Sequence, residues 1–232
     1  MFQRLAIDRG AILFDPELVD TPGPQLFDRA RWRARDALTE HAGGRGSIHF
    51  IDDGRYHWAL RRYLRGGVPA LVSREHYLYC GEERTRSFRE LRLLDSMRRR
   101  GLPVPVPVAA IYRRAFLAYV AELITVRIVG VRSLSELISA GAMNDARWAA
   151  IGRCLRRFHD MGVHHADLNA QNILLDPEGK VWVLDFDRGR ERAPGAWRER
   201  ALARLARSLA KIGVARAEWQ GGFALLRIAH DG

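Results

Sequence analysis

A chain of 232 residues with 47% apolar and 28% charged residues can bury a substantial core and is too apolar to be a disordered polyelectrolyte. Its formal charge of +11 is the outlier and points to an anionic partner: nucleic acid, an anionic membrane, or a phosphorylated and carboxylated substrate. Cys80 and Cys154 stand far apart with no CxxC pair, and the longest apolar run, Ala115 to Ala121, is far short of a bilayer span. Only Lys180 and Lys211 are lysines among 38 basic residues, a bias that explains arginine over lysine but not the excess over acids. With no apolar signal core in MFQRLAIDRG, a cytoplasmic location is expected.

Taken in order, residues 2–8 and 11–14 read as two short strands around the turn Asp8-Arg9-Gly10. Pro22-Gly23-Pro24 breaks the chain, and the arginine-rich stretch from Phe27 to Leu38 has the spacing of a surface helix. His41 to Ser47 is glycine-rich and leads into the strand Ile48 to Ile51. Gly44 and Gly46 there would let backbone N–H groups approach phosphate oxygens, although a glycine-rich hairpin without a ligand fits as well. Tyr56 to Leu64 reads as a strand whose alternation puts Trp58, Leu60 and Arg62 on one face and Ala59, Arg61 and Tyr63 on the other. Ala59 would leave room for a base and Arg61 would reach phosphate; the competing reading is an edge strand with solvated arginines.

An irregular basic segment runs from Arg65 to about Arg86. A helix follows from Ser87, with Phe88, Leu91, Leu94 and Met97 at helical spacing. Glu90 has two competing roles. Ser87-x-x-Glu90 fits a capping box, yet Glu90, Leu94 and Met97 fall on one stripe, which would turn Glu90 inward to pair with Arg61. The inward pairing is preferred, since phosphoryl-transfer sites need their phosphate-binding cation held in place. Gly101 to Pro107 cannot be helical. Ile111–Tyr112 and Leu117 to Thr125 read as strands, and a lobe boundary is placed there, giving lobes of 1–125 and 126–232. Ser133-Leu-Ser-Glu136 opens a further helix, and Arg147 to Met161 forms a long one buried through Ile151, Leu155, Phe158 and Met161.

The stretch His164 to Arg190 carries the chemistry. Ile173-Leu174-Leu175 and Val181 to Leu184 are short strands joined by Asp176-Pro177-Glu178-Gly179. Such a hairpin brings Asp167, Asn172 and Asp185 to one end, a hard-oxygen set suited to Mg²⁺ beside a phosphate. Asp187 would add to that set or cap the following turn. Three histidines close together, His159, His164 and His165, also invite a transition-metal reading, which accounts less well for the same positions. Trp197 to Ile212 is an amphipathic helix whose polar side carries Arg198, Arg200, Arg204, Arg207 and Lys211 against Glu199 alone. It is an ordinary solvated face or one that rests on anionic head groups.

In this order the pieces resemble the protein-kinase-like fold: an α+β, bilobal arrangement with a mainly-β N-lobe bearing one main helix and a mainly helical, shortened C-lobe. His165-Ala166-Asp167 with Asn172 matches the catalytic loop, and Asp185-Phe186-Asp187 stands where that fold has DFG. Within the fold the sequence is most similar to the 3-deoxy-D-manno-octulosonic acid (Kdo) kinases of Gram-negative bacteria. The similarity rests on Gly44-Arg45-Gly46, Leu60 to Tyr63 with Arg65-Gly66-Gly67, Thr85 to Phe88, His165 to Asn172 and Asp185 to Arg190.

The resemblance implies transfer of the ATP γ-phosphate to the 4-hydroxyl of Kdo on a lipid A precursor, with the protein peripheral on the cytoplasmic face of the inner membrane. It makes Asp167 the catalytic base, Asn172 and Asp185 the Mg²⁺ ligands, and Gly44, Gly46, Arg61 and Glu90 the nucleotide-binding set. No nucleic acid partner is expected, and the sequence leaves the oligomeric state open. Arg61 must replace the usual strand lysine, and Asn169 stands where protein kinases usually have lysine. The 45 residues after Asp187 are too few for the protein-substrate machinery, which favours a small or lipid-linked acceptor. The alternatives are a kinase-like phosphotransferase for another small-molecule or sugar acceptor and an inactive basic module that binds polyanions.

Overall fold

The computed structural model describes residues 1–41, 48–64 and 76–232. The chain divides into two compact units, one of Met1–Asp95 with Val106–Arg127 and the other of Ser96–Pro105 with Ile128–Gly232.

The first unit is built on an antiparallel sheet. β1 (Gln3–Ile7) and β2 (Gly10–Phe14) form the expected hairpin, with Ile7 opposite Gly10. A Cβ at Gly10 would lie 2.1 Å from the Tyr112 carbonyl oxygen, so the close approach of the next strand, rather than the turn, demands glycine there. That strand is β7 (Pro107–Ala115), followed across the sheet by β8 (Ala118–Val126), β5 (His57–Arg62), β4 (Ile48–Asp52) and β3 (Leu38–His41). A short β6 (Tyr77–Leu78) pairs with the opposite end of β8. Val108 to Ile111 in β7 are fully buried, as a strand covered on both faces requires.

The segment Phe27 to Leu38 corrects the expectation of a surface helix. Asp28 caps only a short helix, α1 (Arg29–Arg33), its carboxylate accepting from the N–H groups of Ala30 and Arg31, and Leu38 already begins β3. The segment does lie at the surface, with Arg31 and residues 33–36 exposed, but one large side chain turns inward. Trp32 is buried, donates through Nε1 to the Leu26 carbonyl at 2.9 Å, and meets Trp58 edge-to-face in a cluster with Phe27, Ile51 and Leu60. The single large aromatic outweighs the arginines around it.

α2 (Arg86–Arg99) buries Phe88, Leu91, Leu94 and Met97 as its spacing requires. Gly101, in the left-handed region, ends it: the N–H groups of Gly101 and Leu102 return to the carbonyls of Arg98 and Met97.

The second unit is mainly helical. Ser133 and Glu136 form a capping box on α3 (Leu134–Ser139), and Asn144 caps α4 (Asp145–Asp160). β11 (Ile173–Leu175) and β12 (Val181–Val183) make the expected hairpin, with β9 (Arg132–Ser133) on the other edge of β11. β10 (Val163–His164) pairs with β13 (Arg190–Glu191).

α5 (Trp197–Leu209) precedes a helix that the sequence reading did not foresee, α6 (Arg216–Asp231), which packs on α4. The approach is so close that a Cβ at Gly152 would lie 2.2 Å from the Leu226 carbonyl, and one at Gly222 2.0 Å from the Trp148 indole nitrogen.

Candidate active site

In the first unit the alternation of β5 turns Trp58 and Leu60 into the core and leaves Ala59 and Arg61 on the other face. The Arg61 guanidinium donates to Glu90, which is only 3% exposed, and Tyr63 Oη donates to the same carboxylate oxygen at 2.6 Å. The guanidinium also lies over the Tyr63 ring, 4.8 Å from its centroid. Ser87 Oγ is committed elsewhere, donating to the Ile111 carbonyl at 2.9 Å and so fixing α2 to β7. The carboxylate and the guanidinium hold one another in place. Tyr63 was not singled out in advance, although its position two residues after Arg61 places it on the same strand face. Gly44 and Gly46 lie outside the described residues, as do residues 65–75 of the basic insert.

In the second unit the loop between β10 and β11 is tied down at almost every residue. His165 is buried and spans the loop: Nε2 donates to the Leu184 carbonyl at 2.7 Å, and Nδ1 accepts the Asp167 N–H at 3.1 Å. Both bonds suit a neutral ring with its proton on Nε2, and burial pushes the His165 pKa down accordingly. The Asp167 carbonyl accepts from Asn169 Nδ2 at 3.0 Å and Asn172 Nδ2 at 3.1 Å, while Asn169 Oδ1 accepts the N–H groups of Gln171 and Asn172. Leu168 and Ala170 are buried beneath. The loop leaves the Asp167 carboxylate exposed, and Gln171 beyond it.

The Leu184 N–H returns to the Asn172 carbonyl at 2.8 Å, so Asn172 and Asp185 emerge from adjacent backbone. Asp185 is held in the left-handed region at φ 62°, a conformation that a non-glycine residue adopts only when its surroundings impose it. Phe186 beside it is buried, stacking on Phe158 and tilted against the His165 ring.

The donor set suits Mg²⁺. Because Asn172 Nδ2 is bound to the Asp167 carbonyl, the amide oxygen is the atom left for a cation. With the Asp185 carboxylate this makes two hard oxygens, the number that Mg²⁺ takes from a protein when phosphate and water complete its shell. The transition-metal reading is overturned by the rings themselves. His165 uses both nitrogens on backbone, and His159 Nδ1 meets His230 Nε2 at 2.8 Å in the interior. Burial, with the neighbouring His230 and Arg198, pushes the His159 pKa down to about 3. Asp187 lies half-buried two residues beyond Asp185.

One contact at this site was not anticipated. Arg204 Nη1, from α5, donates to Asp167 Oδ1 at 2.8 Å. Ser208, a turn further along α5, accepts the Ala170 N–H at 3.0 Å. Arg198, read with Arg204 as part of a polar face that is either solvated or rests on anionic head groups, instead donates to the His159 carbonyl at the C-terminal end of α4, at 2.7 Å. Arg200 and Arg207 remain exposed on α5, as does Lys211 just beyond it. Among the described residues no helix is long and apolar enough to cross a membrane.

Residues 29–224 match the model of the lipopolysaccharide kinase (Kdo/WaaP) family. The chain is 47% identical to a 3-deoxy-D-manno-octulosonic acid kinase of Stenotrophomonas maltophilia, over 96% of this chain and 90% of that protein. It is 50% identical to one of Xanthomonas axonopodis pv. citri, over 88% and 81%. A chain in the crystal structure of the yeast RNA Pol II CTD kinase CTDK-1 complex overlaps 68% of this chain and 47% of its own at 18% identity and a TM-score of 0.42, too low to bear on function.

Proposed function

This chain belongs to the lipopolysaccharide kinase (Kdo/WaaP) family, and we propose that it transfers the γ-phosphoryl group of ATP to the 4-hydroxyl of Kdo on a lipid A precursor. The family assignment makes it a kinase of a sugar hydroxyl with the protein-kinase-like fold. The observation that carries the mechanism is the exposed Asp167 carboxylate on a loop that His165, Asn169 and Asn172 brace through its own backbone.

In this mechanism Asp167 accepts the proton of the acceptor hydroxyl and aims its oxygen for in-line attack. His165 keeps the loop in register with the backbone preceding Asp185 and takes no part in proton transfer, because both ring nitrogens are committed. Asn172 and Asp185 would hold Mg²⁺, whose charge neutralises the phosphate oxygens when bound. Arg61, fixed by Glu90, would grip the nucleotide phosphates, with Gly44 and Gly46 supplying backbone donors. Arginine presents a wider fork than the lysine it replaces, so two phosphate oxygens can be addressed together.

An acceptor bearing carboxylate, phosphates and acyl chains would account for the charge of +11 and supports the reading of a protein peripheral on the cytoplasmic face of the inner membrane. Exposed Arg200, Arg207 and Lys211 support that placement. The test is Mg·ATP turnover with and without a Kdo-bearing lipid A precursor, using the wild-type chain and Asp167→Asn. Turnover should require the Kdo lipid and vanish in a variant that still melts like wild type. Near-normal turnover by Asp167→Asn would remove Asp167 as the base.

A further inference from the structure

Phosphoryl transfer asks little covalent work of a protein; it needs positive charge against the oxygens of the group in flight. The loop from Asp167 to Asn172 supplies none. Between them stand Leu168, Asn169, Ala170 and Gln171, and both ends of the Asn169 amide are committed to loop backbone. The cation at this carboxylate comes from another element, as the Arg204–Asp167 bond of 2.8 Å.

Three features make that contact a built one. Ser208, on the same face of α5 one turn from Arg204, accepts the Ala170 N–H and donates to the Leu205 carbonyl, which docks the helix on the loop. Leu202, Leu205 and Leu209 anchor the opposite face in the core, all fully buried. Trp197 Nε1, donating to the Ala193 carbonyl at 2.7 Å, fixes the helix at its start. Stability does not explain the pair, because with side chains 49% and 65% exposed it is a surface ion pair and adds little to the fold.

We propose that Arg204 is the catalytic cation of the transfer step, contributed in cis by α5 in place of a lysine in the loop. One N–H of its fork orients Asp167, while the remaining donors meet the oxygens of the transferring phosphoryl group. In the step the bond from the γ-phosphorus to the bridging oxygen of ADP breaks and the bond to the acceptor oxygen forms. The acceptor proton passes to Asp167, and Arg204 keeps its own protons throughout. The inference rests on the reading of Asp167 as the proton acceptor.

The experiment compares Arg204→Ala, Arg204→Lys, Asp167→Asn and the exposed control Arg153→Ala in the full chain, with Mg·ATP and a Kdo-bearing lipid A precursor. Arg204→Ala should lose about 10²–10³-fold in kcat with KM for ATP within about threefold and an unchanged melting temperature. Arg204→Lys should recover part of the loss, added guanidinium ion should rescue Arg204→Ala, and Arg153→Ala should match wild type. Two results would overturn the inference alone: Arg204→Ala within about tenfold of wild-type kcat while Asp167→Asn is dead, or a loss confined to KM. An active Asp167→Asn would bring down the underlying reading instead.

Discussion

Replacing Glu90 by Gln keeps the shape of the Arg61 site and removes its negative charge. The Glu90 side chain is 2% exposed and that of Arg61 20%, so the substitution removes the negative charge that faces this guanidinium in a mostly dry place. Breaking one side of a buried pair costs roughly 3–5 kcal/mol, and the residual access of water to Arg61 puts this case near the lower end, about 3 kcal/mol. Tyr63 loses a charged acceptor as well, about 1 kcal/mol more. For a chain of this size that corresponds to a fall of roughly 8–16 °C in melting temperature.

Binding should fail for a separate reason, since an unanchored Arg61 no longer presents its fork in one orientation. The decisive variant is the double replacement Arg61→Met with Glu90→Leu. It removes both charges, should regain all but about 1–2 kcal/mol of the lost stability, and should still fail to bind ATP. Thermal melts paired with equilibrium ATP binding read the two effects separately. A Glu90→Gln protein that melts with wild type, or a double variant that binds ATP normally, would refute the reasoning.

Two further outcomes follow from the second unit. Burial holds the His159 pKa at about 3, below its ordinary 6.5, so the unfolded chain takes up a proton that the folded chain refuses. Its contribution is complete above pH 6.5 and is lost as pH falls toward 3, at about 1.4 kcal/mol per pH unit within that window. Urea midpoints at pH 7 and pH 5 should differ by about 2 kcal/mol from this group, and His159→Phe should flatten the difference; an equally steep profile in that variant would exclude it. Adjacent glycines of α6 should respond oppositely to alanine. A Cβ at Gly222 would strike the Trp148 ring, whereas one at Gly221 meets nothing within 4 Å. Gly222→Ala should destabilise by about 1–3 kcal/mol and Gly221→Ala should stabilise by about 0.5–1 kcal/mol, read from chemical unfolding, and equal effects would contradict this packing.

The proposed catalytic end of the hairpin was legible because its determinants are local. Short β-rich runs, a turn at Asp176 to Gly179 and fixed spacing place Asp167, Asn172 and Asp185 without long-range information. Glu90 was ambiguous because one pattern, Ser87-x-x-Glu90, serves a helix cap or an inward pair; the choice lies with the Ile111 carbonyl that engages Ser87, distant in sequence.

Arg204 was hidden for the same reason. It sits 37 residues from Asp167 on a face crowded with cations, which reads as solvent-facing until the helix is docked. α6 escaped notice because Gly221-Gly222 looks like a break, while in the fold Gly222 is what permits contact with Trp148. Trp32 likewise went unread as the side chain that pins an otherwise exposed segment to the core.

An arginine at position 61 also changes how this chain can be approached chemically. Amine-reactive nucleotide analogues acylate a lysine that touches the phosphates, and here that position offers no amine. The two lysines of the chain both belong to the second unit: Lys180 lies over the Trp182 ring at the hairpin turn, and Lys211 is exposed just beyond α5. A guanidinium stays protonated at any working pH and is a poor nucleophile. Reagents that label nucleotide-binding lysines should therefore pass this site by, and covalent labelling of it would have to begin from a different functional group.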